Sequence, residues 1–347
     1  MARTRKLALV LVILAVVVAG FYVFRDNRET IYVFNWGDYI DESVISRFEK
    51  ETGIKVVYDV FSTNEDMYVK IQAGGSSYDV AFPSDYMIKR MIDEDMLEKI
   101  NFDNVPNYKY VDERFKDLDF DPNNEYSVPY FWGTVGILYN TAMVDEEVDS
   151  WDILWDKKYE KQILMLDSQR DSIGVALLKL GYSLNTKDIA QLEEAGELLK
   201  QQKPLVLAYV VDEVKDKMVA GEAALAVVWS GDAVQGMAEN ENLAYAIPKS
   251  GTNMWVDSMV IPKGAKNKEG AEKFINFMLS TEIAYLNTKH VMYSTPHTEA
   301  KKMLDEWILN NPAAYPSDEA LENTETFQAL GDVLREYDRI WTEVKAR

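Results

Sequence analysis

The sequence predicts an α/β protein of two lobes with a ligand cleft between them. Three observations carry that expectation. Short β-branched or aromatic runs alternate with amphipathic stretches from Thr30 onward. The alternation restarts in a second block near Val135. No Pro/Gly/Ser-rich linker divides the blocks, so strands crossing between the lobes are expected to join them. The 347 residues are 47% apolar and 12% aromatic, enough for two cores.

Arg3, Arg5 and Lys6 precede residues 7–24, an uncharged run of 18 residues, and Arg25, Asp26, Arg28 and Glu29 follow it. A cleaved signal has an apolar region of roughly 7–15 residues, whereas a spanning helix needs about 17–25. Phe21 and the residues to Phe24 also extend the run past Val17-Val18-Ala19, the weak cleavage site. Residues 1–29 are therefore expected to be a signal or, by length, an uncleaved membrane anchor. Basic residues ahead of it place the body outside the cytoplasm, tethered to the membrane.

Beyond Thr30, IYVFN reads as a strand and DESVISRFEKETG as a helix that starts at Asp41 with Ser43 and stops at Gly53. IKVVYDVF is the next strand, NEDMYVKIQAGG a helix ending at Gly74, and YDVAFP a third strand. Loops after such strands are where open α/β sheets bind ligands. The second block opens at VGILY and holds QILML, PLVLAYV, AALAVVW and LAYAIP, with helices expected at 173–180 and 189–200. WVDSMVIP reads as a buried strand, and KNKEGAEKFINFMLS as an amphipathic helix with Phe274, Ile275, Phe277, Met278 and Leu279 mostly on one side. The remainder is helical with loops at NNPAAYPSDE. The lobes so delimited are 30–135 plus 256–300, and 136–255 plus 301–347.

Acidic residues outnumber basic ones 58 to 37, a formal charge of -21, which disfavours nucleic acid and favours a cationic partner. The absence of cysteine excludes disulfides and thiolate chemistry. The two histidines, His290 and His297, lie in no hydrolase elbow or metal-ligand spacing, and no phosphate-binding glycine loop occurs. DLDFDPNNE imitates the start of a calcium loop, but Pro122 stands where glycine is needed and Val128 where a glutamate is needed. It is expected to be a solvated acidic connection, and no metal, cofactor or catalytic group is expected.

One mixture of side chains recurs at strand ends far apart in the chain. FNWGDYI holds Trp36, Asp38 and Tyr39; PSDY holds Ser84 and Tyr86; LDSQRD holds Asp171; VVWSGD holds Trp229 and Asp232; MWVDS holds Trp255 and Asp257; VMYSTP holds Tyr293. Taken singly, each reads as a packing residue or a helix cap, and Asp232 as the cap of a helix starting at Ala233. Their recurrence in both lobes suits an acyclic polyamine. Carboxylates bond its ammonium groups, while Trp and Tyr faces cover its methylenes and add about 0.5–2 kcal/mol of cation–π attraction per contact.

With these residues in place, the chain resembles the spermidine/putrescine-binding proteins, the solute receptors of polyamine ABC importers. The resemblance runs in order through IYVFNWGDYI, FEKETGIKVVYDVF, AGGSSYDVAFPS, VPYFWGTVGILYN, WDILW, VVWSGD, IPKSGTNMWVDSMVIPKGAKNKEGAEKFINFML and YSTP. It implies a two-lobed, type II periplasmic-binding-protein-like fold with two crossovers, spermidine or putrescine in the hinge cleft, and ABC permease subunits as partners. The ligand residues it implies are Trp36, Asp38, Tyr39, Ser84, Tyr86, Asp171, Trp229, Asp232, Trp255, Asp257, Tyr293 and, within ETFQ, Gln328. Trp36-Gly37-Asp38-Tyr39 and Asp232 resemble the putrescine type. Tyr293-Ser294-Thr295-Pro296 and Gln328 resemble the spermidine type, and Ser168 stands where that type has a second acid, so both amines are expected to bind. A sugar receptor on the same scaffold gives no reason for four acids with Arg170 as their basic neighbour. A glycosidase using Asp38 and Asp257 as an acid pair lacks any further catalytic group, so no enzyme activity is expected.

Overall fold

The computed structural model describes residues 28–74 and 78–346. In chain order the first elements are β1 (Thr30–Trp36), α1 (Glu42–Thr52), β2 (Lys55–Phe61), α2 (Asn64–Gln72), β3 (Val80–Ala81), α3 (Asp85–Asp93), β4 (Leu97–Glu98) and β5 (Ser127–Asn140). Then follow β6 (Ile163–Leu166), α4 (Gln169–Lys179), α5 (Ile189–Gln202), β7 (Val206–Val210), α6 (Val214–Val219), β8 (Leu225–Trp229), α7 (Ser230–Glu239), β9 (Leu243–Ala246) and β10 (Met254–Pro262). The helices α8 (Lys268–Met278), α9 (Thr281–Val291) and α10 (Leu334–Ala346) come later, with shorter helical turns between the last two.

β1 lies between β2 and β3, parallel to both, so its Ile31, Val33 and Phe34 are covered on two faces, as parallel strands require. α1 begins where Asp41 accepts the Ser43 N–H at 2.9 Å and ends at Gly53, burying Val44 and Phe48 against the sheet. β5 is the strand that makes two lobes out of one sheet. Its first part, Ser127 to Thr134, pairs antiparallel with β10; from Val135 onward it pairs with β8 and then also β9. The resulting strand order is β2-β1-β3-β10-β5-β8-β6-β7, with β4 beside β10 and β9 beside β5. A two-lobed α/β fold of the periplasmic-binding-protein type II kind follows.

Each lobe has its own packed interior. Val33, Phe48, Phe82, Phe131 and Phe274 centre the first, and Trp151, Leu166, Leu177, Leu225 and Tyr337 the second. At the crossover, Val135 N donates to Asn253 O at 3.0 Å, and the buried Tyr245 hydroxyl lies 3.0 Å from Thr134 Oγ1. The tail recrosses as well, through isolated bridges that pair Ser294 with Trp132 and Glu325 with Asn253.

Several local expectations change. α4 begins at Gln169, capped by Ser168, so Asp171 lies in a helical first turn rather than in a loop. α7 begins at Ser230 with Trp229 at its N-cap, so Asp232 is inside the first turn and does not cap it. Within DLDFDPNNE, Asp121 is buried rather than solvated, because its carboxylate accepts the N–H groups of Glu125, Tyr126 and Ser127 and folds the turn into β5. The expectation of a transmembrane or signal segment that tethers the protein to the membrane is corrected. Among the described residues no helix is long and apolar enough to cross a bilayer. α5, with 14 residues, spans about 21 Å at 1.5 Å per residue, short of a hydrocarbon core of about 30 Å. The run at 7–24 lies outside the described residues.

The crossover leaves no room at Gly136, where an added Cβ would stand 2.3 Å from the Tyr245 ring. Overpacking of that kind costs roughly 1–3 kcal/mol. Gly136→Ala is expected to lower the urea midpoint at an unchanged slope, and a midpoint equal to the parent's would show that the ring is free to move aside.

Candidate functional site

The site is assembled where strands of the first lobe end and the two lobes meet. β1 ends at Trp36, whose indole N–H donates to Phe82 O at 2.8 Å. The chain then turns through Asp38, which sits in the left-handed region at φ 46 and is exposed. Aspartate tolerates that conformation better than most residues. Tyr39 turns back inward, 5% exposed, and its hydroxyl donates to Asp257 Oδ2 at 2.7 Å. Asp257 faces Ser84 across an isolated bridge, and Ser258 N donates to Pro83 O at 3.0 Å, which clamps the PSDY turn onto β10. Ser84 is itself held by Asn64, whose amide group donates to Ser84 Oγ at 3.0 Å.

Aromatic rings link this corner to the second lobe. Tyr293 stands edge-on to Tyr39 at 5.5 Å and to Trp255 at 5.3 Å, and its hydroxyl donates to Asp232 Oδ2 at 3.2 Å. Gly231 makes room for that ring; a Cβ there would lie 2.5 Å from it. Asp257 and Asp232 are therefore connected through two tyrosines. At another side of the contact, Tyr86 on α3 meets Phe327 edge-on at 6.1 Å, and the Arg170 guanidinium lies over Phe327 at 4.2 Å and over Tyr86 at 5.4 Å. Arg170 donates to Gln328 O at 3.2 Å and to Asn185 Oδ1 at 3.1 Å. Next to it in sequence, Asp171 takes the Ser168 hydroxyl at 2.5 Å.

Burial dominates the electrostatics. It pushes Asp257 up to about 7 although the Ser84 and Tyr39 hydroxyls pull it down. It pushes Asp232 up to about 7 against the Tyr293 hydrogen bond, with Asp212 adding like-charge repulsion. Asp171 rises to about 6, restrained by Ser168, Arg170, Asn253 and Trp229. Asp257 Oδ1, Asp171 Oδ1 and the Trp255 indole N–H are buried without a partner. Buried polar atoms of native proteins are nearly always bonded, so each such atom marks a place for a ligand or a water. Unpaired acceptors on acids that burial tends to neutralise suit a cationic donor above all.

The expected residues divide accordingly. Tyr39, Ser84, Trp255, Asp257, Tyr293 and Asp232 form one connected group. Tyr86 joins the lobes through Arg170 and Phe327, while Asp171 and Trp229 lie side by side in the second lobe. Trp36 lies half-buried beside Phe61 at 4.5 Å, so much of its ring serves packing. Gln328 is exposed and takes part through its backbone. Sequence reasoning missed Asp85, which is 1% exposed and pushed to about 8 by burial, with Asp257 adding repulsion. Its place inside the PSDY motif between two chosen residues was the available signal. Phe327 and Asn253 were missed as well, and nothing in their local sequence distinguishes them.

The family model described as bacterial extracellular solute-binding protein matches residues 43–316. The spermidine/putrescine-binding periplasmic protein of Escherichia coli (strain K12) is 36% identical over 323 residues, 92% of this chain and 93% of that one. Among solved structures, a Listeria monocytogenes protein named for a spermidine/putrescine ABC transporter superposes with a TM-score of 0.89 at 46% identity, covering 91% of this chain and 99% of that chain. The substrate-binding protein of a spermidine/putrescine ABC transporter from Streptococcus pneumoniae has a TM-score of 0.80 at 42% identity, covering 92% and 99%.

Because Asp257 titrates near 7 in the folded chain and near 3.8 when free, the folded state binds its proton more tightly. The stability this provides is fully present below about pH 3.8 and is lost as pH rises through about 7. Asp257→Asn is therefore expected to melt above the ligand-free parent at about pH 8 and to converge with it near pH 4. Thermal melts across that range check this, and a variant less stable than the parent at the alkaline end would contradict it.

Proposed function

The chain belongs to the bacterial extracellular solute-binding proteins, and among them to the spermidine/putrescine-binding receptors of ABC importers; on that premise we propose that it captures spermidine or putrescine in the cleft between its lobes and presents the loaded, closed form to the importer's membrane permease. Members of this family are transport receptors rather than enzymes. The work is done outside the cytoplasm.

The observation that carries the amine reading is Asp257. It is buried beside Tyr39 and Trp255 with one oxygen bonded and the other without a donor. An ammonium group supplies both the missing hydrogen and the missing charge. In this reading Asp257 takes a nitrogen near the middle of the cleft, with Ser84 and Tyr39 orienting the carboxylate. Asp232 with Tyr293 and Asp171 with Trp229 serve nitrogens to either side of it. Trp36, Trp255 and Tyr86 flank the methylenes, and Asp38 and Gln328 act from the rim. Ligand touches groups of both lobes together only when they are closed, so binding shifts the population toward the closed form.

Spermidine and putrescine titrated calorimetrically into the parent are both expected to bind, spermidine at least as tightly. Asp257→Asn preserves shape and removes charge, and losing a charge-assisted bond should cost roughly 1.5–3 kcal/mol, a weakening of about tenfold to more than a hundredfold. An unchanged dissociation constant in a variant that melts cooperatively would remove Asp257 from the site. Asp232→Ser is expected to weaken putrescine more than spermidine, and equal losses would detach Asp232 from diamine selectivity.

A further inference from the structure

A small cavity lies within the second lobe beside Asp171. About 10 Å³ of it is open to a water-sized sphere, and its walls include Val135, Trp151, Phe327, Thr252, Asn253 and Asp171. One water needs roughly 10–15 Å³ by that measure, so a single water fits and an aminoalkyl end does not. The polar lining is specific. Asp171 is 7% exposed and Asn253 4%, and each has one oxygen without a donor, Oδ1 in both cases. The other Asp171 oxygen already takes the Ser168 hydroxyl, and the Thr252 hydroxyl is committed to Val135 O. What the cavity lacks is two hydrogens directed at two acceptors, and a water has two to give.

We propose that one internal water occupies this cavity, donating to Asp171 Oδ1 and to Asn253 Oδ1, and that Asn253 is thereby a positioning residue for Asp171 in amine binding. The proposal rests on the placement of Asp171 in the amine site. Asn253 is well sited for the role, because its backbone carbonyl takes Val135 N at the crossover and it pairs with Glu325 of the returning tail. The water thus connects a ligand carboxylate to the strands that join the lobes. A donated hydrogen favours the ionised form of Asp171, which burial opposes. The charged group acting on Asp171 is Arg170 of its own helix, while Asn253 beside β10 and Trp229 at the end of β8 contribute neutral donors. The mixed motif at this end also gains a physical reading: Ser168 and the water supply hydrogens to one acid, so Asp171 serves there without a second carboxylate.

The test combines a high-resolution crystal structure of the parent with spermidine calorimetry on the parent, Asn253→Leu, Asp171→Asn and the double variant. The structure is expected to contain a water within hydrogen-bond distance of both Oδ1 atoms. Asn253→Leu fills the cavity and removes both the water's acceptor and the Asn253 side chain's own bond to Asp171, so Asp171 should titrate higher and spermidine should bind about tenfold more weakly near pH 6.5, with the parent structure separating the water from the direct bond. That loss should shrink toward about pH 8.5 and vanish when Asp171 is already asparagine. A ligand ammonium in the cavity, no water between the two oxygens, or a loss independent of pH and of residue 171 would overturn the proposal. If Asp171→Asn binds spermidine like the parent, the placement of Asp171 fails with it. If Asp171→Asn is impaired and Asn253→Leu is not, the water alone is wrong. Because the parent structure is read without any substitution, a variant that does not fold leaves the proposal open to refutation.

Discussion

Holding a carboxylate out of water costs several kcal/mol unless it is paired, and the region where the lobes meet holds several. Asp257, Asp171 and Asp85 are each more than nine-tenths buried, and burial is the leading cause of the upward shift in every one. The buried guanidinium close by, Arg170, bonded to Gln328 O and Asn185 and set over the Phe327 ring, favours the ionised forms of Asp171 and Asp85 but does not outweigh their burial. Burying these acids therefore carries an electrostatic penalty that protons relieve in part and ammonium groups would relieve more fully. A neutral donor would relieve less of it, because it brings hydrogens without charge.

The fold supplies the geometry for this. Strand β5 changes partners between Thr134 and Val135, so the acids of the first lobe, on and beside β10, are brought against the acids at the starts of α4 and α7 in the second. Aromatic rings fill what remains. Tyr39 and Tyr293 each use a hydroxyl to steady a carboxylate and a ring to shape the wall, which excludes water and strengthens every charge interaction inside. Wall and charge are two uses of the same side chains.

The sequence disclosed the elements whose neighbours differ from one face to the other. α1 alternates buried and exposed residues and carries a capping Asp41 and a terminal Gly53, so its limits were legible. α4 is buried continuously from Arg170 to Leu178 and so has no polar face to give a period; its first turn, Gln169-Arg170-Asp171-Ser172, reads as a polar loop. Recurrence of acid and aromatic at strand ends pointed to Tyr39, Trp255, Asp257, Tyr293 and Asp232, which the fold does gather. It could not separate Trp36, whose ring packs on Phe61, from rings at the heart of the site. Nor could it reveal Asp85 or Asn253, because their burial arises from partners more than a hundred residues away, at Val256 and Val135. Asp121 reads as solvated for a related reason: three backbone donors that close around it appear only once the turn has formed.

Buried acids held partly protonated would exchange those protons for ammonium groups when an amine binds. Calorimetry of spermidine binding near pH 7 in buffers of different ionisation enthalpy counts the protons exchanged. With Asp257 and Asp232 titrating near 7 in the unliganded protein, binding is expected to release on the order of one proton per ligand, more near pH 6.5 and fewer near pH 8.5. A binding enthalpy independent of buffer across that range would contradict the claim that the carboxylates of the closed cleft are held partly protonated until the amine arrives.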